Sequence, residues 1–293
     1  MPSLAERLYH AARDGDLPSL QACLAAGADP NERRGHGRET TFDTALHAAA
    51  LYGHAACVRA LLAAGANPAI GDSFGVTPLH EAALKGHVQC VEALLAGGAS
   101  PSAGHVNGWT PVHCSACQSS AEVVQLLLAA QPGAALAEDY HRQTPLMVAV
   151  DEQQAEPARC LLSLGALPAA VGTTLSELER GGAWALPLYA ALAARRALAP
   201  ADWARVPAPC AGLGAALPAV LERSPAEAAL LVQHLPQSER QRLHTAALCL
   251  ARAQQVHCTY LPPAALGRIL ALAAGSRESV PNMALASGSR DLG

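Results

Sequence analysis

Apolar residues in the first 170 positions fall into paired short helical stripes, separated by polar connections that carry glycine. Val91, Leu94 and Leu95 keep the i, i+3, i+4 spacing of one buried helix face. Thr77 and Pro78 mark a helix start: Thr is the cap, and Pro sits in the first turn, where its missing N–H costs nothing. Ala82 and Ala83 give that helix a small-residue side against which a second helix can close. Gly86-His87 ends the first helix, and Gly98 supplies the left-handed residue that stops the second. The same signals recur as T-A-L-H-A-A-A from Thr44, T-P-L-H-E-A-A from Thr77, T-P-V-H-C-S-A from Thr110 and T-P-L-M-V-A-V from Thr144. These starts lie 33, 33 and 34 residues apart. A diverged first copy runs from about Ala5 to Asn31. Such a period means one helix–turn–helix unit per repeat. A single unit cannot bury its apolar face alone, so the units stack.

These motifs resemble ankyrin repeats over residues 5–172. The resemblance implies an all-α solenoid of about five repeats, with almost no sheet beyond finger hairpins. It implies a structural role for His47, His80 and His113. It also implies protein partners, held by variable positions of each first helix and by the finger tips. The helix offsets give Tyr52, Glu81, Lys85, Gln118 and Asp151; the fingers give Phe74, Trp109 and Tyr140. Only 3% of the chain is aromatic, so large rings on fingers suit binding anchors, which dominate interface energies. The plainer reading is that each ring covers the adjacent finger.

The departures from the repeat are local. The connection Arg33–Asp43 is about five residues longer than its counterparts. The third finger gains a residue near Gln131-Pro132-Gly133, and Gln153-Gln154 replaces Gly-His in the fourth full repeat. After Gly172 the pattern fades. Thr174-Leu175 opens either one more degenerate repeat, through about Leu198, or a cap, within an Ala/Pro-rich stretch at 173–224. Residues 225–275 form a small helical unit, and 276–293 are a polar tail expected to be disordered.

Within 225–275 the chain resembles a SOCS box, and a box following ankyrin repeats resembles the ankyrin-and-SOCS-box family. Leu248-Cys249 matches the L-C core of the first motif and Ala253 its small residue. Pro263, Leu266, Ile269 and Leu270 match a P-x-x-L-x-x-Φ-L segment. The resemblance implies elongin BC contact by the first set and cullin contact by the second. It thus implies a substrate-recognition subunit of a cullin–RING ubiquitin ligase. Thr245 stands where that pattern has Leu, Leu250 where it has a basic residue, and Pro262 where it has Leu. A non-ligase ankyrin scaffold or inhibitor, its C-terminal helices acting as a cap, is the other reading.

Composition narrows the chemistry further. The chain is 51% hydrophobic, with a formal net charge of −4, so no basic face argues for nucleic acid. The N-terminus lacks the basic start and apolar run of a signal peptide. No apolar stretch is long enough to span a membrane. Nine cysteines, scattered through helical patterns, fit a reducing, intracellular compartment, cytoplasmic or nuclear. Cys114-x-x-Cys117 has no second C-x-x-C, so ordinary helix thiols are favoured over zinc. No P-loop, G-x-S-x-G or H-E-x-x-H occurs. Neither enzymatic activity nor a cofactor is expected.

Overall fold

The computed structural model describes residues 3–36, 39–118, 120–164 and 171–245. The chain divides into two compact units, Met1–Arg195 and Arg196–Gly293.

The first unit is a stack of helix pairs. They are α1 (Leu4–Asp14) with α2 (Leu17–Ala25), α3 (Ala45–Leu51) with α4 (Ala55–Ala63), and α5 (Pro78–Lys85) with α6 (Val88–Ala96). Next come α7 (Pro111–Ala116) with α8 (Ala121–Ala130), α9 (Pro145–Asp151) with α10 (Ala155–Leu164), and α11 (Val171–Gly181) with α12 (Leu186–Arg195). First helices pack in one layer, α1 on α3 through α9 on α11; second helices pack in another, α2 on α4 through α10 on α12. Alanine makes the close approach possible: Ala49, Ala50, Ala82, Ala83, Ala116 and Ala149 are all buried in the first-helix layer. Leu61, Val91, Leu94 and Leu127 fill the second.

The T-x-x-H motif locks each repeat to the next. The Thr77 N–H donates to His80 Nδ1 at 3.1 Å, so Nδ1 carries no proton. Nε2 therefore holds the proton and donates to the Trp109 carbonyl at 3.0 Å, on the next finger. His47 reaches the Val76 carbonyl and His113 the Gln143 carbonyl in the same way. The Gly-His pair links backward. His54 Nε2 donates to the Arg13 carbonyl and His87 Nε2 to that of Leu51. In the fifth pair Met147 replaces the histidine. There Glu177, 2% exposed on α11, takes a hydrogen bond from Thr144.

The long first connection, 26–44, holds nineteen residues against the fourteen of 64–77. Its surplus builds an antiparallel hairpin, β1 (Arg34–His36) with β2 (Glu39–Asp43), pairing Arg34 with Asp43. α11 begins at Val171, three residues before Thr174, so Thr174 is a buried helix-interior residue rather than a cap. Its pair, α11–α12, nevertheless packs on α9 and α10 as a repeat does.

Later fingers are joined backbone to backbone. Val106 N–H donates to the Phe74 carbonyl at 2.8 Å, and Tyr140 N–H to the Asn107 carbonyl at 3.1 Å. Gly108 makes the second join possible. Its φ is +81°, and a Cβ there would lie 2.9 Å from the Tyr140 nitrogen. Gly108→Ala is therefore expected to cost about 1–3 kcal/mol through backbone strain alone. An unchanged urea midpoint would mean that the fingers do not stack this closely.

The second unit has α13 (Pro200–Trp203), α14 (Leu217–Arg223), α15 (Pro225–His234) and a helix described over 237–245. Ser224 caps α15 by accepting from the Glu227 N–H. Trp203, 1% exposed, packs beside His234. The buried Glu227 carboxylate accepts from Arg223 and from the Leu198 N–H.

Candidate partner-binding surface

Four of the five candidate helix positions lie at the C-terminal end of a first helix; Glu81 lies in the first turn of α5. Tyr52 caps α3 and is 52% exposed. Lys85 at the end of α5 and Gln118 just past α7 are exposed. Glu81, half-buried on α5, is held above the usual carboxylate range by burial and then by Asp43 and Asp72, with Lys85 opposing. Asp151 is exposed but engaged: its carboxylate accepts from Arg180 on α11 at 2.8 and 3.0 Å.

The three finger aromatics differ. Phe74 is 51% exposed and Tyr140 is 76% exposed. Trp109 is half-buried, and its indole N–H donates to Asp139 Oδ2 at 3.0 Å on the following finger. Its ring also stacks on His113, 6.2 Å between centroids. Trp109 thus helps fasten one finger to the next. Two further apolar side chains in finger connections are exposed, Phe42 at 46% and Val106 at 52%. Phe42 lies two residues before Thr44, within the one-to-four range spanned by Trp109, Phe74 and Tyr140, but in the connection that departs from the repeat. Val106 carries no ring to set it apart from the aliphatic residues of the repeats. The usable signal for both is a large apolar residue in a turn that should be polar.

The finger turns are built by short polar loops. Asp72 Oδ1 accepts from the Phe74 and Val76 N–H groups, and Asp139 Oδ1 from those of His141 and Gln143. Where glycine stands in the earlier fingers, the last one has Arg142 at φ +59°.

The thiols are protonated at neutral pH. Burial, with Cys117 and Glu81 adding, pushes Cys114 up to about 12; burial, with Glu152 adding, pushes Cys117 to about 11. Among the described residues no group of three or more His, Cys, Asp or Glu is placed to hold a metal. Leu248, Cys249, Ala253, Pro263, Leu266, Ile269 and Leu270 lie outside the described residues. Thr245, the last described residue of its helix, is exposed, and its hydroxyl donates to the Gln241 carbonyl.

The family model for ankyrin repeats (3 copies) matches residues 8–105 and 98–170, more than half of the chain. The chain belongs to the ankyrin-repeat family. No curated protein gives a significant match. As an ankyrin-repeat protein it is a protein–protein interaction module, and that family works by binding rather than by catalysis. Among the described residues no helix is long and apolar enough to cross a membrane.

Proposed function

We propose that this ankyrin-repeat protein is a substrate-recognition subunit of a cullin–RING ubiquitin ligase and not itself an enzyme. The ankyrin face holds the target, and the C-terminal segment captures elongin BC and a cullin. The observation that carries the reading is the order of motifs: an ankyrin array, then Leu248-Cys249 with Ala253, then Pro263, Leu266, Ile269 and Leu270. The mechanism is effective concentration: tethering brings the target close to the ubiquitin-charged enzyme, with no chemistry by this chain. The reading places the protein in a reducing, intracellular compartment, and the seven described cysteines are free thiols. It requires neither nucleic acid nor a membrane.

Purified elongin BC is expected to bind the full chain, and Cys249→Arg is expected to abolish that capture by placing a charge in an apolar contact. Pro263→Ala with Leu266→Ala should spare elongin BC and reduce cullin recruitment. Thr245 presents a hydroxyl where the box pattern has an apolar anchor, so Thr245→Leu should tighten elongin binding. Wild-type protein that binds no elongin BC at micromolar concentration would leave the non-ligase scaffold in its place.

A further inference from the structure

We infer that the exposed apolar stripe of the ankyrin face receives an extended, cationic segment of the partner, with arginine or lysine set between apolar side chains. This rests on the reading that the ankyrin face holds a target, and it names the chemistry of what is held. The chain has two phenylalanines in all. Both Phe42 and Phe74 are about half exposed on neighbouring fingers, while alanine and leucine fill the core. With Val106 and Tyr140, which also lie on fingers, they make four of the seven exposed large hydrophobics among the described residues. Rings kept out of a core so poor in aromatics are available to a partner.

The stripe is fixed before anything binds. Backbone hydrogen bonds of 2.8 and 3.1 Å tie the finger of Phe74 to that of Val106, and the latter to the finger of Tyr140, so little ordering cost falls on this side. The spacing selects an extended occupant. Packed helices step roughly 8–10 Å apart, and a polyproline-II-like chain repeats its side-chain direction every three residues, about 9 Å. A helix presents its stripe every 5.4 Å or so, and alternate turns would go unmatched.

Charge sets the rest. Asp72 closes the turn that carries Phe74, and Asp43 and Asp72 both act on Glu81, with Lys85 the cation that opposes them. Carboxylates beside exposed rings suit a guanidinium or ammonium, which can lie over a ring face while pairing with the acid.

The test is selection of random dodecapeptides by phage display on the full-length protein. A synthetic peptide of the best clone is then titrated by fluorescence anisotropy. Enriched peptides should carry net positive charge and apolar residues three apart. Binding should weaken at least about tenfold in Phe74→Ala with Tyr140→Ala, and in Glu81→Lys. It should also weaken as NaCl rises from about 50 to about 500 mM. Glu92→Lys, exposed on α6, should leave it unchanged. Where the double variant melts early, Tyr140→Ala alone replaces it. Enrichment of acidic or uncharged peptides, no enrichment, or equal loss in Glu92→Lys overturns the inference. Elongin BC binding on the same preparations separates the two readings. Its absence removes the ligase, whereas peptide failure with elongin binding intact removes this inference alone.

Discussion

Acidification from pH 7 to pH 4 is expected to destabilise a Glu177→Gln variant by at least about 3 kcal/mol, and wild type by about 3 kcal/mol less. His80 drives the loss. It is 1% exposed, and burial pushes its pKa from 6.5 down to about 4. The hydrogen bonds demand the neutral ring, because Nδ1 must accept from the Thr77 N–H. As pH falls below 6.5 the unfolded chain takes up a proton that the folded chain refuses until about 4. Stability is lost across that window, about 1.4 kcal/mol for each pH unit. Burial lowers His47 and His113 as well, so they add in the same direction.

Glu177 works against them. Burial raises its carboxyl from 4.5 to about 7, with Thr144 and Arg180 opposing. Its folded pKa lies above the unfolded one, so the native state takes its proton first and gains stability as pH falls from 7 to 4.5. That gain is of similar size, about 3 kcal/mol, and offsets the His80 loss in wild type, leaving what His47 and His113 add. Glutamine keeps the shape and the bond to Thr144 while removing the titration. At pH 8 the same variant should be more stable than wild type, because it no longer buries an ionised carboxylate. Glu81, raised but only half-buried, is common to both proteins. Urea midpoints followed by circular dichroism across pH 4 to 8 provide the measurement. Parallel pH profiles for the two proteins would sink the argument.

Much of the repeat unit is legible from local signals because each acts within one turn or one helix. Thr77-Pro78 starts α5, Gly86 and Gly98 take positive φ, and His80 bonds its own cap. The five surplus residues of the first connection do become a hairpin. What the sequence hides lies one repeat away. Trp109 finds its partner in Asp139, 30 residues on, so its half-burial depends on finger stacking that no local pattern records. Glu177 reads as an ordinary surface acid and is buried only because α11 packs on α9. The pair α11–α12 lacks the Gly-His signal. It joins the stack through Leu175, Leu178, Leu188 and Leu192, all 2% exposed or less. Gln153 and Arg142 take left-handed φ without glycine, so counting glycines misses two turns.

Replacing Asp139 with alanine is expected to cost the first unit about 3 kcal/mol. Asp139 is 4% exposed and gathers three donors: Oδ1 accepts from the His141 and Gln143 N–H groups at 2.8 and 2.7 Å, and Oδ2 from the Trp109 indole at 3.0 Å. Each charged hydrogen bond is worth about 1.5–3 kcal/mol, and losing the acceptor strands its donors. The backbone donors lie in an exposed turn and recover water, so the sum stays well below three full bonds. Burial opposes ionisation of this carboxyl, but the donors from Gln143, His141 and Trp109 outweigh it and hold the pKa below the ordinary 3.8. With the folded pKa depressed, the contribution stands throughout neutral pH and is lost only as pH falls below the ordinary carboxylate range. Asp139→Asn keeps one acceptor oxygen and should cost less than alanine. A double-mutant cycle with Trp109→Phe isolates the indole bond. Coupling of at least about 1 kcal/mol is expected there. An Asp139→Ala variant within about 0.5 kcal/mol of wild type, the range of an ordinary surface change, would mean that the fingers stand apart in solution.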